Sequence, residues 1–182
     1  MPAQTRTESP SPTPPSLTQF NTDPAEDIER ALLTCLRSLR WARRLADHRP
    51  YPDLDSLLAA ADEAAYDLTP GDLAEALAAE ALPALPDGVY AAAHTALGAA
   101  HAAYESRFGH VFVICVERTS PDEALNQVLT GIRSRLTNDP EEERAVAAEE
   151  LRRLAKGRLA EFLGGAGLQH FAAPPRGATS NS

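Results

Sequence analysis

The chain has 182 residues, enough for one domain of ordinary size, and its 43% apolar content is carried by Ala and Leu with only 5% aromatics, as in helix bundles. A formal charge of −9, with no basic patch interleaved with aromatics, argues against a nucleic-acid backbone or an anionic membrane as partner. No apolar run approaches the ~20 residues of a membrane span, and the N-terminus lacks a charged-then-apolar secretory pattern, so the expected compartment is the cytoplasm.

Residues 1–16 hold five prolines among Ser, Thr and Gln, and that composition buries too little surface to offset ordering. A disordered tail is expected there, a flexible one over 164–182, and a single folded unit over 17–163. Within that unit one device repeats: a capping residue followed by Pro at the first helical position, where its missing N–H costs nothing. The pairs are Asp23-Pro24, Thr69-Pro70, Ser120-Pro121 and Asp139-Pro140, and Ser120 with Glu123 adds a capping-box spacing.

The first predicted helix, 24–47, carries Ile28, Leu32, Cys35, Leu36 and Leu39 at three- and four-residue spacing and ends before Arg49-Pro50. Helices follow over 53–66, with Leu54, Leu57, Leu58 and Ala61 inward, and over 70–80, with Leu73, Ala76 and Leu77 inward and Glu80 one turn past Ala76. Pro83, Pro86 and Asp87-Gly88 break the chain. A helix over 89–107 then carries His94, Leu97, His101, Tyr104 and Phe108 on one stripe and stops at Gly109.

Val111 to Val116 is a short apolar run of β-branched residues alternating with Phe112 and Cys115, which prefers an extended backbone. Too short to make a sheet of its own, it must have its N–H and C=O groups satisfied by neighbours or by a ligand. It reads either as a buried connector or as a segment lining a small-molecule site. The last helices, 121–136 and 140–163, turn Leu125, Val128, Leu129, Ile132 and Leu136, and then Leu151, Leu154, Ala155 and Phe162, inward. The predicted architecture is all-α: a single-domain bundle of about six helices with one short extended connector.

Few residues stand out chemically. Arg158 lies on the apolar stripe of the last helix, four residues from both Leu154 and Phe162, and an unpaired buried guanidinium is costly. It either snorkels or pairs with a Glu, or it clamps a substrate carboxylate bidentately. His94 and His101 share a helical face, but no third ligand stands nearby, so no metal site is expected. His110 falls in a turn, His48 in a loop. No Ser-His-Asp order or glycine-rich phosphate loop is present at usable spacing. Cys35 and Cys115 are far apart in apolar contexts and read as buried thiols. The run Glu141-Glu142-Glu143 suits a helix first turn through the macrodipole.

Taken together, these blocks resemble the 2-oxo-4-hydroxy-4-carboxy-5-ureidoimidazoline (OHCU) decarboxylase family, which forms S-allantoin on the route from urate. The similarity runs through Phe20-Asn21, Trp41-Ala42 leading into Arg49-Pro50-Tyr51, and Leu68-Thr69 with Asp72 and Glu75-Ala76-Leu77. It continues in Tyr104-Glu105, Arg107-Phe108-Gly109 and Phe112 to Cys115, then in Arg135 to Pro140, Glu143 and Arg158-Leu159. The resemblance implies an all-α homodimer with neither metal nor organic cofactor, acting on a ureidoimidazoline or allantoin-like molecule bound between helices. It assigns Arg158 to the substrate carboxylate, and the backbone of Phe112, Val113, Ile114 and Cys115 to the ring and ureido group.

One block departs. The family's catalytic histidine opens a His-Pro-Arg-Ile-Gly-like motif, and here Glu80-Ala81-Leu82-Pro83-Ala84 stands in its place. A further family block, a Ser with a downstream Glu-Gln pair, has no counterpart in Leu85 to Ala99, and His101 replaces the family's Asn. Decarboxylation leaves electron density that must be protonated, which an imidazole does near neutral pH and an ionised carboxylate does not. The expectations are therefore a decarboxylase with Glu80 at the histidine position and a proton donor moved to His101 or His94, or a non-catalytic ligand-binding or dimeric scaffold protein.

Overall fold

The computed structural model describes residues 15–82, 91–116 and 120–164. Most of both expected tails lies outside the described residues, as does the Pro83–Gly88 break. Among the described residues all regular secondary structure is helical: α1 (Leu17–Thr22), α2 (Ala25–Cys35), α3 (Leu39–Asp47), α4 (Leu54–Tyr66), α5 (Pro70–Ala78), α6 (Ala91–Phe108), α7 (Pro121–Arg135) and α8 (Pro140–Phe162). The all-α reading stands, with eight helices in place of about six.

Two local events account for the difference. Ser16 and Gln19 form a capping box that starts α1, and Asp23, expected to cap the next helix, closes α1 instead by donating its N–H to the Gln19 carbonyl. The helix expected over 24–47 is broken at Leu36, whose backbone is extended, and Ser38 restarts it by accepting a hydrogen bond from the Trp41 N–H at 3.3 Å. A serine three residues ahead of a buried tryptophan was the sequence signal for that restart. The other cap–Pro pairs behave as expected: Thr69, Ser120 and Asp139 each accept first-turn N–H bonds, with Pro at the start of the helix.

The main core is built by α2, α3, α4, α5 and α8 around Trp41, Leu32, Leu57, Leu151 and Leu159. Trp41 is fully buried and its indole N–H donates to the Ala61 carbonyl at 2.9 Å, which gives its one polar atom a partner. The Asn21 side-chain amide both donates to and accepts from the Tyr51 backbone at 2.9 Å, and Arg49 donates to the Phe20 and Asp23 carbonyls at 2.8 Å. These bonds tie α1 to the α3–α4 turn.

A second core joins α6 and α7 through Leu97, Tyr104, Val128 and Ile132. The connector 111–116 has no regular secondary structure and runs between the two cores, with successive side chains alternating: Phe112 packs in the α6–α7 core, Val113 in the main one. It approaches α7 closely at Gly131, where a Cβ would lie 3.1 Å from the Phe112 ring and 3.2 Å from Ile114, so a larger residue there would make both side chains give by a few tenths of an ångström. Gly109, at φ +78°, supplies the left-handed turn that ends α6. Among the described residues no helix is long and apolar enough to cross a membrane.

Candidate functional site

Glu80 leaves the end of α5 and meets Arg158, which projects from the last turns of α8. Arg158 Nη1 donates to Glu80 Oε1 at 2.9 Å and Nη2 to Oε2 at 2.8 Å, a two-bond fork, while Nη1 also donates to the Cys35 carbonyl at 3.0 Å. Cys35 is the last residue of α2, so the guanidinium satisfies one of the carbonyls that a helix end leaves without a partner. The Glu80 side chain is 7% exposed and that of Arg158 36%. The hydrogen bond to Glu80 is the largest cause holding the Arg158 pKa above its ordinary value. Sequence reasoning left open pairing with a Glu or clamping a ligand. In this structure the partner is Glu80.

The pair forms one wall of a cavity of about 560 Å³, lined also by Leu82, Val113, Ile114, Val116, Leu154 and Glu161. Three expected residues, Arg158, Val113 and Ile114, therefore meet Glu80 there. Phe112 turns the other way into the α6–α7 core, and Cys115 is half-exposed, not buried as expected. The Cys115 backbone N–H donates to Glu150 Oε2 at 2.7 Å, so part of the connector is satisfied by a carboxylate of α8.

His101 and His94 are not brought to this cavity. His94 is exposed. His101 is buried on α6 with its ring 6.1 Å from that of Phe112, and its Nδ1 has no hydrogen-bond partner. Desolvation lowers its pKa, against a smaller opposing effect of Glu105. The imidazole is thus biased to the neutral form. Among the described residues no three His, Cys, Asp or Glu side chains converge on a metal-binding geometry.

What fixes the connector is a second Arg–Glu pair. Arg135 donates to the Val113 carbonyl at 2.6 Å, to Glu143 Oε1 from Nε at 2.9 Å and from Nη2 at 2.5 Å, and to the Tyr104 hydroxyl at 3.3 Å. Tyr104 donates its hydroxyl proton to Glu143, and Asn138 donates to the second Glu143 oxygen at 2.9 Å. Burial is the leading cause that pushes the Tyr104 pKa well above its usual range. The Arg135 guanidinium also lies 4.5 Å from the Phe112 ring centre. All three carboxylates stand in the first turn of α8 as expected, but only Glu141 and Glu142 are exposed; Glu143 is wholly buried as the hub of this network. The signal was available, since Arg135 follows Ile132 by three residues on the inward stripe of α7.

The fold and site define a class: an all-α domain in which a guanidinium from the last helix and an extended connector wall a small cavity. The family model for OHCU decarboxylase matches residues 21–85 and 81–160, and the chain belongs to that family. A 2-oxo-4-hydroxy-4-carboxy-5-ureidoimidazoline decarboxylase of Amia calva is 35% identical over 63 residues, 35% of this chain and 34% of the relative, so the shared stretch is about a third of each. Among solved structures, an (S)-allantoin synthase superposes with a TM-score of 0.65 at 21% identity, over 81% of this chain and 54% of that one. An OHCU decarboxylase crystallised in the presence of (S)-allantoin gives 0.63 at 21% identity, over 72% and 95%. At that identity the two structures establish the fold.

Proposed function

We propose that the folded unit 17–163 is an OHCU decarboxylase-like protein of purine catabolism that holds a ureidoimidazoline or allantoin-class molecule in the Arg158 cavity and converts OHCU to S-allantoin slowly. The observation that carries this reading is the Arg158–Glu80 fork, set at 2.8–2.9 Å beside Val113 and Ile114 in one cavity. Arg158 supplies binding and charge stabilisation. Glu80, at the histidine position, is committed to Arg158 and offers no imidazole to protonate the carbon that loses carbon dioxide. Resemblance to the family also favours a cytoplasmic homodimer, which sedimentation of the full chain tests.

Decay of the OHCU absorbance with purified full-length protein tests the catalytic reading. Glu80→His is expected to raise the rate by about tenfold or more, in line with the contribution of a positioned acid–base group. Arg158→Ala is expected to abolish it. A rate indifferent to both substitutions would place the chemistry elsewhere. His101→Ala tests the relocated donor, and loss of rate there would put the proton source on α6. If no variant turns over, the fold serves as a ligand-binding protein, a reading favoured by the place of the partly satisfied Arg158–Glu80 pair on the cavity wall.

A further inference from the structure

A separate cavity of about 230 Å³ opens where α5, the end of α6 and the start of α8 meet. Arg107, Arg144 and His110 line it, and no carboxylate does among the described residues, although the chain has 26 acidic residues against 17 basic ones. Arg144, on the second turn of α8, makes no hydrogen bond or ion pair among the described residues, even with Glu141 one turn before it. All five of its N–H donors are uncommitted. Arg107 uses one donor, from Nη2 to the Asn138 carbonyl at 2.9 Å, and its guanidinium lies 5.3 Å from the Phe108 ring centre. Those two contacts hold it in place and leave its other donors for a ligand. His110 is oriented in the same way: its Nδ1 donates to the Val111 carbonyl at 2.9 Å, and the Tyr104 ring stands edge-on at 5.6 Å. That leaves Nε2 as its free ring nitrogen.

We propose that this cavity is an anion site for a phosphate group, free or as a monoester, held by Arg107 and Arg144. The site shares no lining residue with the Arg158 cavity and does not depend on the function read there. Two guanidiniums from separate helices bring two positive charges, which a dianion matches. One fork saturates the two oxygens of a carboxylate, whereas a tetrahedral phosphate presents oxygens to donors from two directions. Side chains carry the site, not helix ends: α5 and α8 both begin at the cavity, but Thr69 and Asp139 already accept their first-turn N–H bonds. Leu73, Ala74 and Leu77 supply an apolar wall on which the organic part of a monoester can pack. Both arginines are exposed, so binding should weaken as salt is added.

Titration calorimetry on the full chain at fixed ionic strength tests this with inorganic phosphate, phenyl phosphate and benzoate. Phenyl phosphate is expected to bind about tenfold or more tightly than benzoate, which has the same ring on a carboxylate, the scale of one charge-assisted hydrogen bond. Inorganic phosphate that binds as tightly as phenyl phosphate supports the free ion as ligand, and weaker binding supports a monoester. Arg144→Gln removes no bond of the fold and is expected to weaken phenyl phosphate by about tenfold, as is Arg107→Gln; circular dichroism checks that each variant is folded. Arg30→Gln, an exposed arginine of α2 away from the cavity, is expected to change nothing. Equal weakening in Arg30→Gln and Arg144→Gln, benzoate bound as well as phenyl phosphate, or no heat with either phosphate overturns the proposal. Binding lost in Arg158→Gln but kept in Arg144→Gln puts the anion in the other cavity and overturns it too.

Discussion

Two arginine–glutamate pairs adjoin Val113, and they do opposite jobs. Arg135 and Glu143 are sealed: the Glu143 side chain is 0% exposed, both its oxygens are engaged, and the Arg135 guanidinium has a carbonyl, a carboxylate, a hydroxyl and a ring face around it. Arg158 and Glu80 are open: the arginine side chain is a third exposed, two of its donors have no partner among the described residues, and a cavity begins at the pair. The same two residue types therefore give a brace in one place and a receptive surface in the other. Completeness of solvation by protein groups separates them, because a fully satisfied buried pair has nothing left to offer a ligand, whereas a partly satisfied one at a cavity does.

The sharpest way to break that contrast is to delete one carboxylate from each pair. Glu143→Ala strands the Arg135 guanidinium in the core and is expected to cost about 3–5 kcal/mol in urea unfolding. Glu80→Ala strands a guanidinium that water reaches, and about 1 kcal/mol is expected. Equal losses would erase the distinction between brace and site. Asp139→Ala probes the brace from its edge. Its carboxylate accepts from the Glu141 and Glu142 N–H groups at 2.9 Å one turn from Glu143, and removing this cap should cost about 1 kcal/mol with the cavity unaffected.

The smallest effect concerns His101, which packs on Phe112 at the braced side of the connector. Burial depresses its folded pKa below the ordinary 6.5, so between those two values the unfolded chain binds more protons than the folded one. Stability should consequently fall as the pH drops through about 6.5 toward the depressed value, and hold steady above it. Thermal melts of native protein and His101→Phe across that window check the sign: the substitution should flatten the acid-side slope. A steeper slope in the variant would mean the imidazole is charged in the fold.

Much of the bundle was legible because its signals are local. Pro after Thr69, Ser120 and Asp139 places three helix starts by backbone chemistry alone, and apolar spacing assigns Leu73, Ala76 and Leu77, or Val128 and Ile132, to buried faces. The break at Leu36 escaped because the stripe continues across it in amino-acid type. What compensates the interrupted ladder lies far along the chain, in Arg158 bonding to the Cys35 carbonyl.

The sequence by itself determined the helical class, the non-helical stretch 111–116, and the oddity of a guanidinium on the α8 stripe, since each follows from neighbours within a few residues. Only the tertiary structure decided where the charges end. Arg158 meets a glutamate 78 residues away, Glu143 turns from the first turn of α8 to a buried tyrosine and arginine, and the Cys115 N–H finds its acceptor in Glu150. Charge pairing acts over a few ångströms of space whatever the separation along the chain, so periodicity can flag that a buried ion needs a partner and cannot name it.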